Sequence, residues 1–184
     1  MVVPPSRSRG FGTIDGTTPA RAECNRGVKL RESPIAAGGP TFGRVRLVVE
    51  FEDGRLSPVL PDDGRDFVAF MSFAVTRGFG ATHPLIALAE RLQSAHGVAM
   101  GPLTTFYGEE VEDAEDREKQ EMSWQDTAVL LAPVAAMAEA LQTDGQAIAL
   151  LRRAGAEGLA EQAAALSRAL AETTSPRVRL GYVL

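Results

Sequence analysis

Residues 44–60 read RVRLVVEFEDGRLSPVL and carry the clearest strand signal in this sequence. Apolar residues recur at every second position from Val45 to Phe51, and this two-residue period is typical of a strand with one buried face. The Asp-Gly pair at 53–54 is a strong signal for a tight hairpin turn. Residues 56–60 would supply the returning strand, and their proline would keep that strand at a sheet edge. We therefore predict a β-hairpin over 44–60.

The C-terminal residues repeat the strand pattern. Apolar side chains alternate at Val178, Leu180, Tyr182 and Leu184. This alternation predicts a last strand that could pair with the hairpin and join the two ends of the folded part.

Helices are predicted between these strands. Residues 66–75 carry phenylalanines three positions apart, which favours a short helix, although their length also suits a buried strand. Thr82 is the predicted N-cap of the next helix, which would begin near Pro84. Gly97 would end that helix, because glycine readily adopts the left-handed conformation found after a helix.

The C-terminal half is rich in alanine and is predicted to be mostly helical. Capping-box spacing at Ser123 and Asp126 predicts a nearly all-apolar helix over 124–142, which Pro133 would kink or end. Thr143 would start a shorter helix that stops at Gly155, and Leu159, Leu166 and Leu170 mark a final one. The predicted fold class is α+β, with a small antiparallel sheet, formed by the hairpin and the C-terminal strand, packed against these helices.

Residues 1–43 differ in composition from the rest of the chain. Glycine and proline make up 12 of these 43 residues, against 17 of the following 141, and such richness is typical of irregular segments. The first 31 residues also hold six basic and two acidic groups. We predict an irregular basic N-terminal arm over 1–43 and a single α+β domain over 44–184. The arm is either a disordered tail or an extended segment that orders against a partner.

The negative charge is concentrated in one segment. Residues 107–122 contain eight acidic and two basic groups, so their net charge of −6 exceeds the −5 of the whole chain. A solvated helix or a disordered loop is the simplest interpretation. An electrostatic docking surface for a basic partner is a second interpretation. A divalent-cation site is disfavoured, because the segment lacks the glycine-containing loop of calcium sites.

Composition excludes several classes of protein. The single cysteine, Cys24, excludes an internal disulfide framework and a zinc finger. The net charge of −5 makes nucleic-acid binding unlikely as a function. The longest apolar stretch, 128–138, is shorter than the roughly 20 residues of a membrane span, and the N-terminus lacks the apolar region of a secretory signal. We expect a cytoplasmic protein with no membrane partner, no metal and no cofactor.

Two functions from different classes remain. The first is a non-enzymatic interaction protein, such as an adaptor, an accessory protein or an assembly subunit, that binds a protein partner or forms a homo-oligomer. The residues predicted to contact the partner are Arg7, Arg9, Arg21, Arg26, Glu109, Glu110, Glu112 and Asp113. The alternative is a small enzyme that uses acid–base chemistry around Asp62, Asp63, Asp66 and His83, which lie within 22 residues near predicted turns. No catalytic residue is assigned, since no spacing ties His83 to a carboxylate.

Overall fold

The computed structural model describes residues 45–75, 83–108 and 110–184 and confirms the α+β class. The strands are β1 (Arg46–Phe51), β2 (Phe106–Gly108), β3 (Gln125–Asp126) and β4 (Arg177–Val183). The helices are α1 (Arg65–Val75), α2 (Pro84–His96), α3 (Met100–Thr104), α4 (Ala114–Met122), α5 (Thr127–Thr143), α6 (Gly145–Ala154) and α7 (Leu159–Glu172). A short 3-10 turn, Pro61–Gly64, precedes α1.

The C-terminal strand β4 is the centre of the sheet. It pairs antiparallel with β1, so that Glu50 lies opposite Arg179, and this confirms the predicted pairing of the two ends. On its other side β4 pairs parallel with β2, where Tyr107 lies beside Gly181, and β3 also pairs with β4. The sheet is therefore mixed rather than wholly antiparallel, because the helices between β2 and β4 provide the long crossover that a parallel pair needs.

The predicted hairpin is wrong in its second half. The chain does turn at Gly54, whose N–H donates to the Phe51 carbonyl, but residues 53–60 form no strand. The outward N–H of Val49 donates to the Ser57 side-chain oxygen at 3.0 Å instead of to a backbone carbonyl. Pro58 has no N–H for a ladder, and among the described residues β1 is left with a strand partner, β4, on one edge only.

One hydrophobic core lies between the sheet and the helices. Leu47, Val49 and Phe51 point into it from β1, together with Val178 and Leu180 from β4. Its largest fully buried side chains are Phe67, Phe70, Met71, Leu88, Leu92, Leu103, Leu130, Met137, Leu141, Leu159, Leu166 and Leu170. The predicted helix over 66–75 is confirmed: α1 buries Phe67 and Phe70 in this core, and Phe73 packs against it half-buried. None of the helices in the described ranges has the length and apolar character that a membrane crossing requires.

Helix ends agree with the sequence mainly where glycine is involved. Gly97 and Gly155 follow α2 and α6 with φ of 64° and 65°, as predicted. The structure places His83 at the N-cap of α2, while Thr82 lies outside the described residues.

The predicted end of α5 agrees with the structure to within one residue, but its predicted start is wrong. Asp126 is its N-cap, because the preceding residues pair with β4, and Ser123 instead ends α4. Pro133 does not end the helix: it is buried inside α5. The next helix is capped by Asp144 rather than Thr143.

Candidate functional site

The acidic segment forms a helix that contributes nothing to the core. No residue of α4 is buried, which confirms the solvated-helix interpretation for 114–122. The helix begins at Asp113, whose side chain accepts a hydrogen bond from the Asp116 N–H at 3.0 Å. Glu115 and Asp116 follow in the first turn, where their charge complements the helix dipole. The segment therefore presents a regular array of carboxylates.

Few cations compensate these carboxylates. Lys119 contacts Glu115 at 3.1 Å and Asp116 at 3.4 Å, and the two carboxylates raise the pKa of the lysine. Within the described part of the chain, Glu110, Glu112 and Glu118 form no ion pair, although all three are exposed. Negative charge consequently dominates this surface.

Two clefts lie beside α4, one against the C-terminal end of β4 and the other against β2. They have volumes of about 260 and 250 Å³ and share Gly108, Glu110 and Asp116 as lining residues. The first also includes Glu112, and the second includes Lys119. The acidic surface is thus grooved, with carboxylates along the grooves.

A polar and aromatic network on the outer face of the sheet supports α4. Arg179 is only 13% exposed, and its Nε donates to Glu50 at 2.7 Å. Its guanidinium lies over the rings of Tyr107 and Trp124, 5.0 and 4.6 Å from their centroids. Its Nη1 donates to the Gln120 carbonyl of α4 at 3.4 Å. One arginine thereby ties the acidic helix to the central strand.

Tyr107 reaches this network by crossing over β4. Its hydroxyl donates to Glu50 on the far strand at 2.5 Å. The ring passes directly above Gly181, where an added Cβ would lie 2.8 Å from the Tyr107 Cζ atom. The glycine is therefore required by space rather than by its backbone conformation.

The residues of the enzyme alternative have separate structural roles. Asp66 is buried, and its Oδ2 accepts a hydrogen bond from the Gly158 N–H at 3.1 Å. His83 accepts from the Leu85 N–H through Nδ1 at 3.2 Å and stacks on Phe73, with ring centroids 3.8 Å apart. Asp62 and Asp63 lie in the 3-10 turn with positive φ. In residues 45–75, 83–108 and 110–184, no group of three or more His, Cys, Asp or Glu residues is arranged to hold a metal.

A second ionic cluster joins α2 to α6. Asp144 accepts hydrogen bonds from Arg91 Nη2 at 3.0 Å and lies 2.8 Å from the His96 Nε2 atom. It also caps α6 by accepting the Gln146 N–H at 2.9 Å. Arg91, and secondarily His96, hold the pKa of the Asp144 carboxyl well below its usual range.

We expect Asp144→Asn to destabilise the protein in a pH-dependent way. A carboxyl with a lowered folded-state pKa contributes stability above its unfolded pKa of about 4 and loses it as the pH falls further. The urea midpoint of the variant should therefore lie below that of the native chain at pH 7, and the gap should narrow below about pH 4. Urea titrations at several pH values measure this. Glu139→Gln, at an exposed position of α5 that pairs with no cation among the described residues, is the control and should show no comparable difference. A gap for Asp144→Asn that is unchanged at pH 2.5 would contradict the assignment.

No family model, no curated protein and no solved structure matches this chain. The site must therefore be interpreted from its own geometry.

Of the predicted partner-binding residues, the structure brings together those of the acidic segment. Glu110 and Glu112 are exposed beside α4, and Asp113 begins that helix. Glu109 lies outside the described residues, as do all four arginines of the arm: Arg7, Arg9, Arg21 and Arg26.

Sequence reasoning missed the network beneath the acidic helix. Its members Glu50, Tyr107, Trp124 and Arg179 come from four distant parts of the chain. One signal was available, since Arg177 and Arg179 alternate with the buried Val178 and Leu180 and so share the outer face of β4. Nothing local indicated which aromatic rings would meet them.

Proposed function

We propose that this chain is a non-enzymatic protein–protein interaction protein, an adaptor, accessory or assembly subunit, whose acidic segment docks a basic partner. The observation that carries the proposal is α4 itself: it has no buried residue, and Glu110, Glu112 and Glu118 beside or within it have no cationic partner in the part of the chain described.

The physical argument begins with the stability of α4. A helix of nine residues is marginal in water by itself, because nucleation is unfavourable. Repulsion between its carboxylates destabilises this helix further, since four of its residues are acidic and two are basic. An acidic surface held in a defined shape would steer an oppositely charged partner and fix its orientation.

A partner of suitable charge exists within the sequence. The first 31 residues carry six basic and two acidic groups, among them Arg7, Arg9, Arg21 and Arg26. In this proposal the basic arm of a second copy binds along the acidic clefts, so that the complementary charges support self-assembly. A basic segment of another protein would use the same surface.

Cys24 provides a direct test in the full chain. As the sole cysteine it accepts a nitroxide label without any mutation, and it lies inside the basic arm. At low salt we expect the nitroxide on Cys24 to broaden the NMR signals of the backbone amides of residues 110–121. The broadening should fall at 1 M salt, where the screening length shrinks to about 3 Å. Chains that carry the nitroxide can be mixed with ¹⁵N-enriched chains that do not. Broadening of signals from the ¹⁵N-enriched chains then shows that the arm of one copy reaches another copy.

A charge-matched control makes the test specific. The triple variant Glu110→Lys, Glu112→Lys and Glu118→Lys should abolish the broadening. Reversal of three exposed glutamates elsewhere, Glu90, Glu139 and Glu172, should leave it in place although the net charge changes equally. Broadening that is absent, or that survives the first triple reversal, would refute docking of the arm on the acidic segment.

A further inference from the structure

A buried side-chain nitrogen without a hydrogen-bond partner among the described residues lies where the starts of α1 and α7 meet. Gln162 of α7 is 0% exposed, and its Oε1 accepts a hydrogen bond from the Phe67 N–H of α1 at 2.8 Å. Its Nε2 is also buried, yet it has no hydrogen-bond partner among the residues that the structure describes. Native proteins rarely leave a buried donor unpaired, so we expect this nitrogen to have a hydrogen-bond acceptor.

The carboxylate of Asp66 is a polar group close to this nitrogen. This side chain is buried too, and its Oδ2 accepts from the N–H of Gly158, the N-cap of α7. A Cβ placed on Gly158 would lie 2.9 Å from Asp66 Oδ2 and 3.2 Å from Gln162 Nε2. Both polar atoms therefore lie close to Gly158 at the start of α7, and no hydrogen bond joins them.

We propose that an ordered internal water molecule binds here, accepting a hydrogen bond from Gln162 Nε2 and donating one to the Asp66 carboxylate. The amide nitrogen donates and the carboxylate accepts, but no direct hydrogen bond joins them. A water molecule can accept from the first and donate to the second at the same time. The charge of Asp66 disfavours an anion, while the amide N–H groups disfavour a metal cation. Buried waters typically satisfy polar groups of this kind.

The water would complete a reciprocal connection between two helices. Asp66, in the first turn of α1, accepts from the start of α7, and Gln162, in α7, accepts from the start of α1. With the water in place, both side chains belong to one hydrogen-bonded network that fixes the two helix starts against each other. This role is independent of the acidic segment and of the function proposed for it.

Two measurements on the full chain test the proposal. In a high-resolution crystal structure we expect a water within hydrogen-bond distance of both Gln162 Nε2 and Asp66 Oδ2. In solution, the side-chain amide protons of Gln162 should show a cross-peak to a long-lived water. A protein acceptor on Nε2, or an empty site with no water cross-peak, would overturn the proposal.

A variant shows whether Gln162 holds the water. The bound water should also give a cross-peak to the Gly158 N–H, which donates to the same carboxylate oxygen of Asp66. Gln162→Met, similar in length but without the donor, should abolish that cross-peak, whereas Gln93→Met, at an exposed position of α2, should leave it unchanged. Persistence of the signal in Gln162→Met would overturn the role of the glutamine. Should this variant not fold, the crystal structure of the native chain still decides.

Discussion

Gly64→Ala is expected to destabilise the protein by about 2–5 kcal/mol. Gly64 has a φ of 72°, in the left-handed region that costs a residue with a Cβ about 1–2 kcal/mol. The added Cβ would also lie 2.6 Å from the Leu47 Cβ atom and 3.2 Å from Leu60 Cδ1. Overpacking of this kind typically costs about 1–3 kcal/mol, and Leu47 cannot move without shifting β1.

The measurement is urea unfolding of the variant beside a matched glycine. Gly155 has a φ of 65°, yet its added Cβ would meet nothing within 4 Å. Gly155→Ala therefore isolates the backbone cost, and its loss should be only about 1–2 kcal/mol. Equal losses for the two variants would mean that the contact with Leu47 is relieved at no cost.

Gly181→Ala is expected to displace the Tyr107 ring and to break its hydrogen bond to Glu50. The added Cβ would lie 2.8 Å from Tyr107 Cζ and 2.9 Å from Cε1, and neither is the end of a flexible chain. Overpacking alone should cost about 1–3 kcal/mol. Displacement of the tyrosine also removes one of the two side chains that donate to Glu50 in the described part of the chain, and Arg179 is the donor that remains.

A double-mutant cycle checks that the tyrosine is the cause. In a Tyr107→Ala background no ring lies above Gly181, and Gly181→Ala should then be neutral or slightly stabilising, because alanine loses less backbone entropy than glycine. Gly108→Ala is the matched control on the neighbouring strand, since its Cβ would meet Tyr182 only at an ordinary 3.5 Å. If the losses of unfolding free energy from Tyr107→Ala and Gly181→Ala simply add, the Tyr107 ring is not the cause of the Gly181 effect.

The Gly181 variant also bears on the proposed docking surface. Arg179 lies over the Tyr107 ring and donates to the Gln120 carbonyl of α4. A displaced ring should therefore loosen the support of the acidic helix without changing any of its charges.

The candidate site was only partly predictable from the sequence. The excess of acidic residues over 107–122 identified the charged surface and its solvated character, because a helix of this composition has no apolar side to bury. The sequence could not indicate that Arg179 and Tyr107 would lie beneath it. Nor could it show that His83 would cap α2 or that Asp66 would accept the Gly158 N–H at the start of α7.

The amino-acid sequence by itself determined the features that depend on near neighbours. The alternation in β1 and β4, the helical spacing in α1 and the left-handed glycines after α2 and α6 all express preferences of a few adjacent residues. These preferences were sufficient for the α+β class.

The pairings of β2 and β3 with β4 were decided by the tertiary structure, since the sequence suggested only that β1 would pair with the C-terminal strand. On one edge of β1, β4 offers a full backbone ladder and two more core residues, and Glu50 bonds to Arg179, 129 positions away. On the other edge, residues 53–60 form no strand, and their Ser57 hydroxyl accepts the Val49 N–H. The free energy of burying that sheet is shared by the whole core, so no stretch of sequence encodes it alone.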